Sequence, residues 1–320
     1  MLMKTKILVT GGSGFIGSHL VKALVERGYH VAITTKYESV YENIRLSKIW
    51  KKLTVIECDL RYSNTINKIN DFKPSIVFHL AAYNDVKGSF TNYQEALESN
   101  VIGTSNLLEN LKNYKQFIYV SSSEVYGHQD NKKLFSEKMT THPISPYSIG
   151  KYSGELYAQM HMSHMKKPIK IVRPFNVFGE TQSNKAVIPE LIEKFIRNET
   201  VKITKGKQTR EFNYVGNTVN FLIEVTKNKN FFNEIVNISE GKEISIRQLA
   251  EKIKKITKSK SRLIIGGLLE RKTEIHRMKA SITKMKSLIR IKKNFSFDEG
   301  LRRTINWYKK EKDYFKNFSV

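Results

Sequence analysis

A glycine-rich turn near the N-terminus is the feature that most constrains the fold of this chain. Glycines at positions 11, 14 and 17 follow the apolar run Lys6–Thr10 and open a helical pattern that continues to Arg27. In such a turn the first glycine permits a tight bend, the second lets the backbone approach a pyrophosphate, and the third lets helix and strand pack closely. The helix N-terminus adds free N–H groups and a partial positive charge. The pattern predicts a dinucleotide site, whose first contacts would be Gly11, Ser13, Gly14, Phe15, Ile16 and Gly17.

Apolar runs and helical patterns alternate along the first 172 residues, which is the order of a parallel sheet covered by helices on both faces. Beyond Pro174 the pattern changes to shorter apolar runs between helical segments. We therefore predict an α/β fold with a Rossmann-type, doubly wound parallel sheet and a smaller, mostly helical C-terminal lobe. The predicted boundaries place residues 1–172 and 212–238 in the dinucleotide-binding domain, and residues 173–211 and 239–320 in the lobe.

The composition excludes several classes of protein. The single cysteine, Cys58, excludes a disulfide scaffold and a zinc site built on several thiolates. No apolar run approaches the ~18 residues that cross a bilayer, and the N-terminus lacks the cleavage site of a signal peptide. His161 and His164 are three residues apart, but no third ligand accompanies them, so we expect no metal site. These observations predict a cytoplasmic protein without a membrane partner.

The net charge of +25 is unevenly distributed, because residues 242–320 hold 23 basic and 8 acidic side chains. Such a surface attracts polyanions, nucleic acid included. Most of these lysines lie between apolar residues at helical spacing, so we interpret them as solvated helix faces and expect no nucleic-acid partner. An RNA-binding relative without turnover remains the alternative that this charge suggests.

Two polar segments carry the candidate chemistry. Tyr147 and Lys151 are four residues apart, on one face of a predicted helix. A lysine ammonium near a phenol favours the phenolate and lowers its pKa from ~10 toward neutrality. The serines 121–123 directly follow a predicted strand, and ligands bind at the carboxyl-terminal strand ends of open α/β sheets. Tyr147 is therefore a candidate acid or base.

Together these motifs resemble the extended short-chain dehydrogenase/reductase family, the nucleotide-sugar epimerases and dehydratases. The resemblance covers nearly the whole chain, and further segments that carry it are Cys58–Leu60, Phe78–Ala82, Asn100–Thr104, Arg173–Gly179, Ala186–Pro189 and Gln208–Phe212.

The resemblance implies roles for individual residues. Ser122, Tyr147 and Lys151 would be the catalytic trio: Tyr147 takes the proton of the sugar O4, Ser122 positions O4, and Lys151 holds the cofactor ribose. The other cofactor contacts that it implies are Asp59, Leu60, Leu80, Ala81, Ala82 and Asn100. The substrate contacts that it implies are Ser123, Asn176, Val187, Arg210 and Arg271, of which Asn176 and Arg210 would bind the diphosphate of the substrate.

Glu124 discriminates among the reactions of the family. A Ser-x-Glu segment before Val-Tyr-Gly resembles 4,6-dehydratases, in which the C4 ketone acidifies C5–H and a carboxylate acts as base while water leaves from C6. The prediction is an NAD(P)-dependent nucleotide-sugar 4,6-dehydratase, a lyase. The alternatives are a 4-epimerase, a 4-reductase or a decarboxylase of the same family, in which Glu124 would have a structural role or a different one.

The second predicted strand ends without an acidic residue for the ribose 2′-hydroxyl, and Lys36 stands there instead. Lys36 could pair with a 2′-phosphate, so NADP is weakly favoured over NAD. The resemblance also implies a homodimer built on the helices that begin near Ala96 and Tyr147, and a place in polysaccharide biosynthesis.

Overall fold

A seven-stranded, all-parallel sheet forms the centre of the protein. The computed structural model describes residues 4–36, 44–129, 133–228, 231–270, 275–289 and 295–311. From one edge to the other, the strands are β11 (Ile235–Ile238), β6 (Ile169–Pro174), β5 (Gln116–Val120), β4 (Ile76–His79), β1 (Lys6–Thr10), β2 (His30–Thr35) and β3 (Thr54–Glu57). The order reverses at β1, as in a doubly wound fold, so the prediction of a Rossmann-type parallel sheet is confirmed.

Helices cover both faces of this sheet, and further helices lie in the C-terminal part. The α-helices are α1 (Phe15–Glu26), α2 (Asn67–Phe72), α3 (Tyr93–Leu97), α4 (Gly103–Asn110), α5 (Pro146–Ser163), α6 (Val187–Ile196), α7 (Val215–Lys227), α8 (Ile246–Thr257), α9 (Thr283–Leu288) and α10 (Phe297–Lys310). The 3-10 helices are Ile44–Lys52, Ser63–Ile66, Gly88–Phe90 and Ser123–Tyr126, and a π-helical turn, Glu98–Ile102, joins α3 to α4.

Strand β1 shows why the sheet is buried on both faces. Ile7 and Val9 belong to the core that includes α1, whereas Leu8 belongs to the core on the opposite face. Alternate side chains of a strand point to opposite faces, so a strand with no polar residue between Ile7 and Val9 must be covered twice. None of the described helices is long and apolar enough to cross a membrane.

Three small sheets complete the C-terminal lobe, which the sequence predicts as mostly helical; the short run Val201–Ile203, predicted as a strand, is one of their strands. Their strands are β7 (Val177–Phe178), β8 (Val201–Ile203), β9 (Thr209–Glu211), β10 (Asn213–Tyr214), β12 (Glu243–Ser245), β13 (Leu263–Ile265) and β14 (Arg277–Met278). β7 pairs with β10, β8 with β13, and β9 lies between β12 and β14. Strands of two or three residues are too short for a period-2 pattern to be read from sequence.

Two helices of the C-terminal part, α8 and α10, begin at predicted serine caps. Ser245 Oγ accepts a hydrogen bond from Gln248 N at 3.1 Å, and Gln248 Oε1 accepts one from Ser245 N at 3.0 Å, which is a complete capping box on α8. Ser296 Oγ likewise accepts from Glu299 N at 3.1 Å at the start of α10.

Candidate functional site

The glycine turn between β1 and α1 is tightly packed at Gly11 and Gly17 and open at Gly14. Gly11 has a φ of +66°, which favours glycine, and a Cβ there would lie 2.7 Å from Ala81 N. A Cβ on Gly17 would lie 2.1 Å from Gly11 O, so only glycine fits where helix and strand meet. A Cβ on Gly14 would meet only Gly11 O, at 3.1 Å, within 4 Å. The backbone at Gly14 can therefore be approached by a ligand group, as a bound dinucleotide requires.

A buried hydrogen-bond chain joins this turn to β4 and α4. Thr10 Oγ1 lies 2.7 Å from His79 Nδ1, and His79 Nε2 lies 3.0 Å from Thr104 Oγ1. Ala81 N donates to Thr10 Oγ1 at 3.2 Å. Burial, assisted by the positive charge of Lys151, lowers the pKa of His79 to about 3. His79 is therefore a neutral structural link that sets the distance between β1 and the segment after β4.

A cavity of about 370 Å³ lies beside the glycine turn. The predicted cofactor residues in its lining are Gly11, Ser13, Gly14, Lys36, Asp59, Leu60, Ala81 and Ala82. Thr34, Thr35, Arg61 and Tyr83 line it as well and were not predicted. Arg61 could have been found, since it directly follows Asp59 and Leu60 in the sequence.

Other predicted cofactor residues do not line this cavity. Phe15, Ile16 and Leu80 pack against the hydrophobic core. Asn100 is buried and holds the backbone of Tyr83, because its Oδ1 accepts from Tyr83 N at 2.8 Å and its Nδ2 donates to Tyr83 O at 3.1 Å. Asn100 thus shapes the cavity wall through Tyr83.

Charged side chains surround the far end of the cavity. Arg61 Nη2 contacts Asp59 Oδ2 at 2.6 Å, and Lys36 Nζ lies 3.7 Å from Glu95 Oε1. Burial raises the pKa of Asp59, but the hydrogen bonds and charge of Arg61 outweigh it and lower that pKa below its usual range. Two cations, Lys36 and Arg61, therefore line the cavity beside the glycine turn.

The candidate catalytic side chains come from the end of β5 and the start of α5. Ser145 caps α5, with its Oγ accepting from Ser148 N at 3.1 Å while Ser148 Oγ accepts from Ser145 N at 3.0 Å. This capping box places Tyr147 in the first turn of the helix. Ser122 caps the 3-10 helix that follows β5, and its Oγ accepts from Glu124 N at 3.2 Å.

Tyr147, Ser122 and Glu124 lie close enough to influence one another. Burial raises the pKa of Tyr147 to about 12, a hydrogen bond with Ser122 opposes this, and the negative charge of Glu124 adds to it. The prediction that Lys151 lowers the pKa of Tyr147 toward neutrality is wrong for the protein alone. The reason is that solvent exclusion disfavours the phenolate more strongly than any neighbouring cation favours it.

Lys151 is nearly fully buried, and its ammonium lies 4.6 Å from the centroid of the Tyr119 ring. Burial lowers the pKa of Lys151 to about 7, although the negative charge of Glu155 opposes the shift. Glu155, one helical turn further along α5, is fully buried. It accepts hydrogen bonds from Arg173 Nη2 at 2.5 Å and from Ser121 Oγ at 2.6 Å.

The predicted substrate residues are distributed over the lobe. Asn176 follows β6, and its Nδ2 donates to the carbonyl of Glu211 at 3.2 Å. Arg210 lies on β9 and is half-buried, and Val187 begins α6. Ser123 is buried in the 3-10 helix after β5. The structure thus joins Asn176 to the strand of Arg210, while Arg271 lies outside the described residues.

A larger groove of about 920 Å³ contains none of these predicted site residues. It lies between the outer face of α5 and the start of β11, where Leu156, Met160 and Ile235 line it. Asp59 and Arg61, whose pKa values are shifted, line the smaller cavity together with the glycine turn, which is why we place the candidate cofactor site there.

Comparisons with known proteins agree with this geometry. A family model described as the NAD dependent epimerase/dehydratase family matches residues 7–239. A putative UDP-glucose 4-epimerase of Methanocaldococcus jannaschii is 34% identical over 310 residues, which cover 95% of this chain and 98% of that protein. A UDP-N-acetyl-alpha-D-glucosaminuronate decarboxylase of Bacillus cytotoxicus is 33% identical, with 96% and 98% covered.

A dTDP-D-glucose 4,6-dehydratase of Dictyostelium discoideum is 30% identical, with 98% of this chain and 84% of that protein covered. Among solved structures, a UDP-glucuronic acid 4-epimerase of Bacillus cereus, in complex with UDP-glucuronic acid and NAD, superposes with a TM-score of 0.86. It is 27% identical, and the match covers 96% of this chain and 99% of that one. Proteins with different reactions thus resemble this chain to a similar degree.

Proposed function

Because this chain belongs to the NAD dependent epimerase/dehydratase family, we propose that it is a nucleotide-sugar 4,6-dehydratase. The observation that carries the proposal is Glu124, a half-buried carboxylate whose charge acts on the Tyr147 phenol and whose backbone is held by Ser122. An elimination across C5 and C6 needs a second proton-transfer group besides the one that serves O4. Glu124 supplies that group.

The residues of the site have separate roles in this reaction. The cofactor, when bound, accepts the hydride of C4 and later returns it to C6. Tyr147, as the phenolate, receives the O4 proton as the C4 ketone forms and later releases it to solvent, while Ser122 holds O4 by a hydrogen bond. The ketone makes the C5 proton acidic, so Glu124 removes it and passes it to the C6 hydroxyl, which leaves as water. A proton from solvent, delivered through Glu124, is added at C5 when hydride reaches C6.

The test is proton NMR in D2O with GDP-, UDP-, dTDP- and CDP-sugars. A dehydratase gives a new methyl signal, deuterium at C5 and loss of the C6 hydroxymethyl signal. The matched variant Glu124→Gln should retain C4 oxidation and lose the C5 exchange by about 10²–10⁴-fold. Full elimination in that variant would remove Glu124 from the mechanism.

The other activities of the family give different signals in the same experiment. A change only in the ring couplings means a 4-epimerase, and release of CO2 from a sugar acid means a decarboxylase. Turnover only of 4-keto sugars with added NADPH means a 4-reductase. No turnover with any of them would direct attention to RNA, with filter binding across a salt series as the measurement.

We further propose that the cofactor site accepts NADP as well as NAD. Lys36 follows β2 and lines the cavity, and the charges near it that the structure describes are those of Glu95 and the Asp59–Arg61 pair. A 2′-phosphate would replace Glu95 as the partner of Lys36. We expect Lys36→Ala to weaken NADP about tenfold and NAD little, since a charged hydrogen bond contributes ~1.5–3 kcal/mol. Equal losses for the two cofactors would contradict this.

We also propose a homodimer. Five large apolar side chains remain exposed around α3 and α5. They are Phe90, Tyr93, Ile102, Ile149 and Leu156, with exposed fractions of 58, 60, 46, 44 and 47%. Exposed large apolar side chains on neighbouring helices are typical of a protein interface. Sedimentation of the protein and of Leu156→Asp, which places a charge on that surface, tests the assignment.

A further inference from the structure

Glu211 is a fully buried acid in the middle strand of a lobe sheet. It ends β9, with β12 on one side and β14 on the other, and its side chain has 0% of its surface exposed. The preceding residue, Arg210, is half-buried, and consecutive strand residues point to opposite faces. The mechanism proposed above assigns no role to Glu211.

The hydrogen bonds around Ser239 indicate that Glu211 carries a proton. Ser239 Oγ is hydrogen-bonded to Glu211 Oε2 and also lies 3.2 Å from Asn213 Oδ1. The Asn213 amide has a defined orientation, because its Nδ2 donates to Phe175 O at 3.0 Å and its Oδ1 accepts from Glu240 N at 2.7 Å. One serine hydrogen cannot serve two acceptors. A protonated Glu211 satisfies both, since it donates to Ser239, which then donates to Asn213.

The charges near Glu211 agree with this protonation. Burial raises the pKa of Glu211 to about 7, and the charge of Glu243 on β12 adds to the shift. Hydrogen bonds from Ser239 and the Ala280 N–H, and the charge of Lys279, oppose it. Among the described residues, Glu211 Oε1 has no hydrogen-bond partner that would stabilise an ionised form.

The nearest cations are engaged elsewhere. Arg277 on β14 contacts Glu243 through Nη2 and Nε, both at 2.9 Å, and Lys279 Nζ lies 3.5 Å from Glu243 Oε1. Glu240, which follows β11, is a further acid near this cluster and also has a raised pKa, because burial disfavours its charge. Arg277 and Lys279 therefore divide their positive charge between Glu211 and the more exposed Glu243, with which both form ion pairs.

Glu211 is connected to both residues that are predicted to hold the substrate diphosphate. Asn176 Nδ2 donates to the Glu211 carbonyl at 3.2 Å, and Asn213 N donates to the Asn176 carbonyl at 2.8 Å. Arg210 is its neighbour in the strand, with Nη1 donating to Thr209 O at 2.9 Å. A shift of β9 that admitted water to an ionised Glu211 would displace Asn176 and Arg210 together.

We propose that Glu211 is a positioning residue, which in its neutral form fixes Asn176 and Arg210 for the substrate diphosphate and on ionisation weakens substrate binding. This inference rests on the nucleotide-sugar substrate proposed above. The proposal predicts that the affinity of the protein for its substrate declines above neutral pH.

The test is calorimetric binding of UDP-glucose to the NAD-saturated protein between pH 6 and 8.5. The diphosphate of this probe does not titrate in that range, so a change in affinity reports on the protein. We expect the dissociation constant of the wild type to rise about tenfold as pH increases, which corresponds to one unit of pKa change on binding. Glu211→Gln, an uncharged replacement of the same shape, should keep the low-pH affinity throughout. The same pH dependence in both proteins would overturn the proposal.

A second variant keeps the test decisive if Glu211→Gln fails to fold. Glu243→Gln releases Arg277 and Lys279, which then favour the ionised Glu211 and should move the loss of affinity to lower pH. No movement would overturn the proposal. Binding is measured rather than turnover, so a protein that binds UDP-glucose without eliminating water would refute the dehydratase reaction alone. Absence of UDP-glucose binding at every pH would remove the diphosphate site and this proposal with it.

Discussion

The start of α5 and the surface of the lobe set the charges of their side chains by different means. In α5, burial is the leading cause that lowers the pKa of Lys151 to about 7 and raises that of Tyr147 to about 12. On the surface of the lobe, hydrogen bonds from Arg277 are the leading cause that lowers the pKa of Glu243 to about 2. Solvent exclusion acts at Lys151 and Tyr147, and a partly exposed ion pair acts at Glu243.

We therefore expect substitutions of the buried groups to alter catalysis, and substitutions of the half-exposed ion pairs to alter stability alone. A buried group whose charge is set by solvent exclusion is coupled to the packing around it. A half-exposed ion pair is screened and contributes little. Paired substitutions, one in each region, should therefore give unequal effects.

The largest contrast is expected between two tyrosines. Tyr147→Phe removes the proposed acid and base, and kcat should fall by about 10²–10⁴-fold. Tyr214→Phe in the lobe removes a hydroxyl that donates to Glu180 Oε1 at 2.8 Å and also interacts with Arg303. It should cost about 1 kcal/mol of unfolding free energy and leave kcat unchanged. Steady-state kinetics measures kcat and urea unfolding measures stability for the two variants. Similar losses of kcat in both variants would contradict the prediction.

The next contrast compares two ion pairs. Glu155→Gln leaves the buried Arg173 without its carboxylate and should lower the unfolding free energy by about 3–5 kcal/mol. Arg173 is only 4% exposed in that pair, whereas the Arg277–Glu243 pair is 29 and 23% exposed. Glu243→Gln should therefore cost about 1 kcal/mol or less. The double variant Glu155→Gln with Arg173→Met should recover much of the loss, and failure to do so would locate the effect outside the pair.

Lys151 predicts a pH dependence with the opposite sign to a paired lysine. Its pKa is lowered from 10.5 to about 7 by folding, so below pH 7 the buried ammonium disfavours the folded state fully. Between pH 7 and 10.5 the folded protein releases this proton first, and the penalty declines. Relative to Lys151→Met, the wild type should gain about 3 kcal/mol of unfolding free energy from pH 7 to 9.5. A constant difference in urea unfolding across this range would contradict it.

The smallest contrast compares the two capping boxes. Ser145→Ala and Ser245→Ala each remove one cap and should each cost about 1 kcal/mol. Ser145 begins the helix that carries Tyr147 in its first turn, so its loss should also lower kcat. Ser245 caps α8 in the lobe, so Ser245→Ala should leave kcat unchanged. An equal reduction of kcat would mean that α8 also positions the reacting groups.

The sequence predicts features that depend on neighbouring residues better than features that depend on the assembled fold. The turn at Gly11, Gly14 and Gly17 depends on backbone clearance between adjacent elements, so its spacing identified it, and the lining of the cavity agrees with much of the predicted set. The resemblance to a known family predicts that Tyr147 and Ser122 act together, and in the structure their side chains are hydrogen-bonded. The raised pKa of Tyr147 could not be predicted, because burial is a property of the assembled fold.

Buried acids in both parts of the protein show the limit of sequence reasoning. Glu155 and Glu211 look like ordinary helix and strand acids in the sequence, and only the tertiary structure shows that both are fully buried. Strands β9, β12 and β14 are too short to be recognised, yet they bring Glu211 against Ser239. The helix predicted to begin near Ala96 begins at Tyr93 and consists of two α-helices, α3 and α4, joined by a π-helical turn.

The path of the chain between β6 and β11 restricts the order in which the protein can be completed. β6 ends at Pro174, and its outer neighbour β11 begins only at Ile235, after the whole of the segment that holds Asn176, Arg210 and Glu211. A ribosome-bound chain that has not yet released β11 exposes the backbone donors and acceptors of β6 as an open edge, which is prone to pairing with another chain. Synthesis of the substrate-binding residues is thus a precondition for closing the sheet, and truncations before residue 238 should aggregate rather than yield a free cofactor domain.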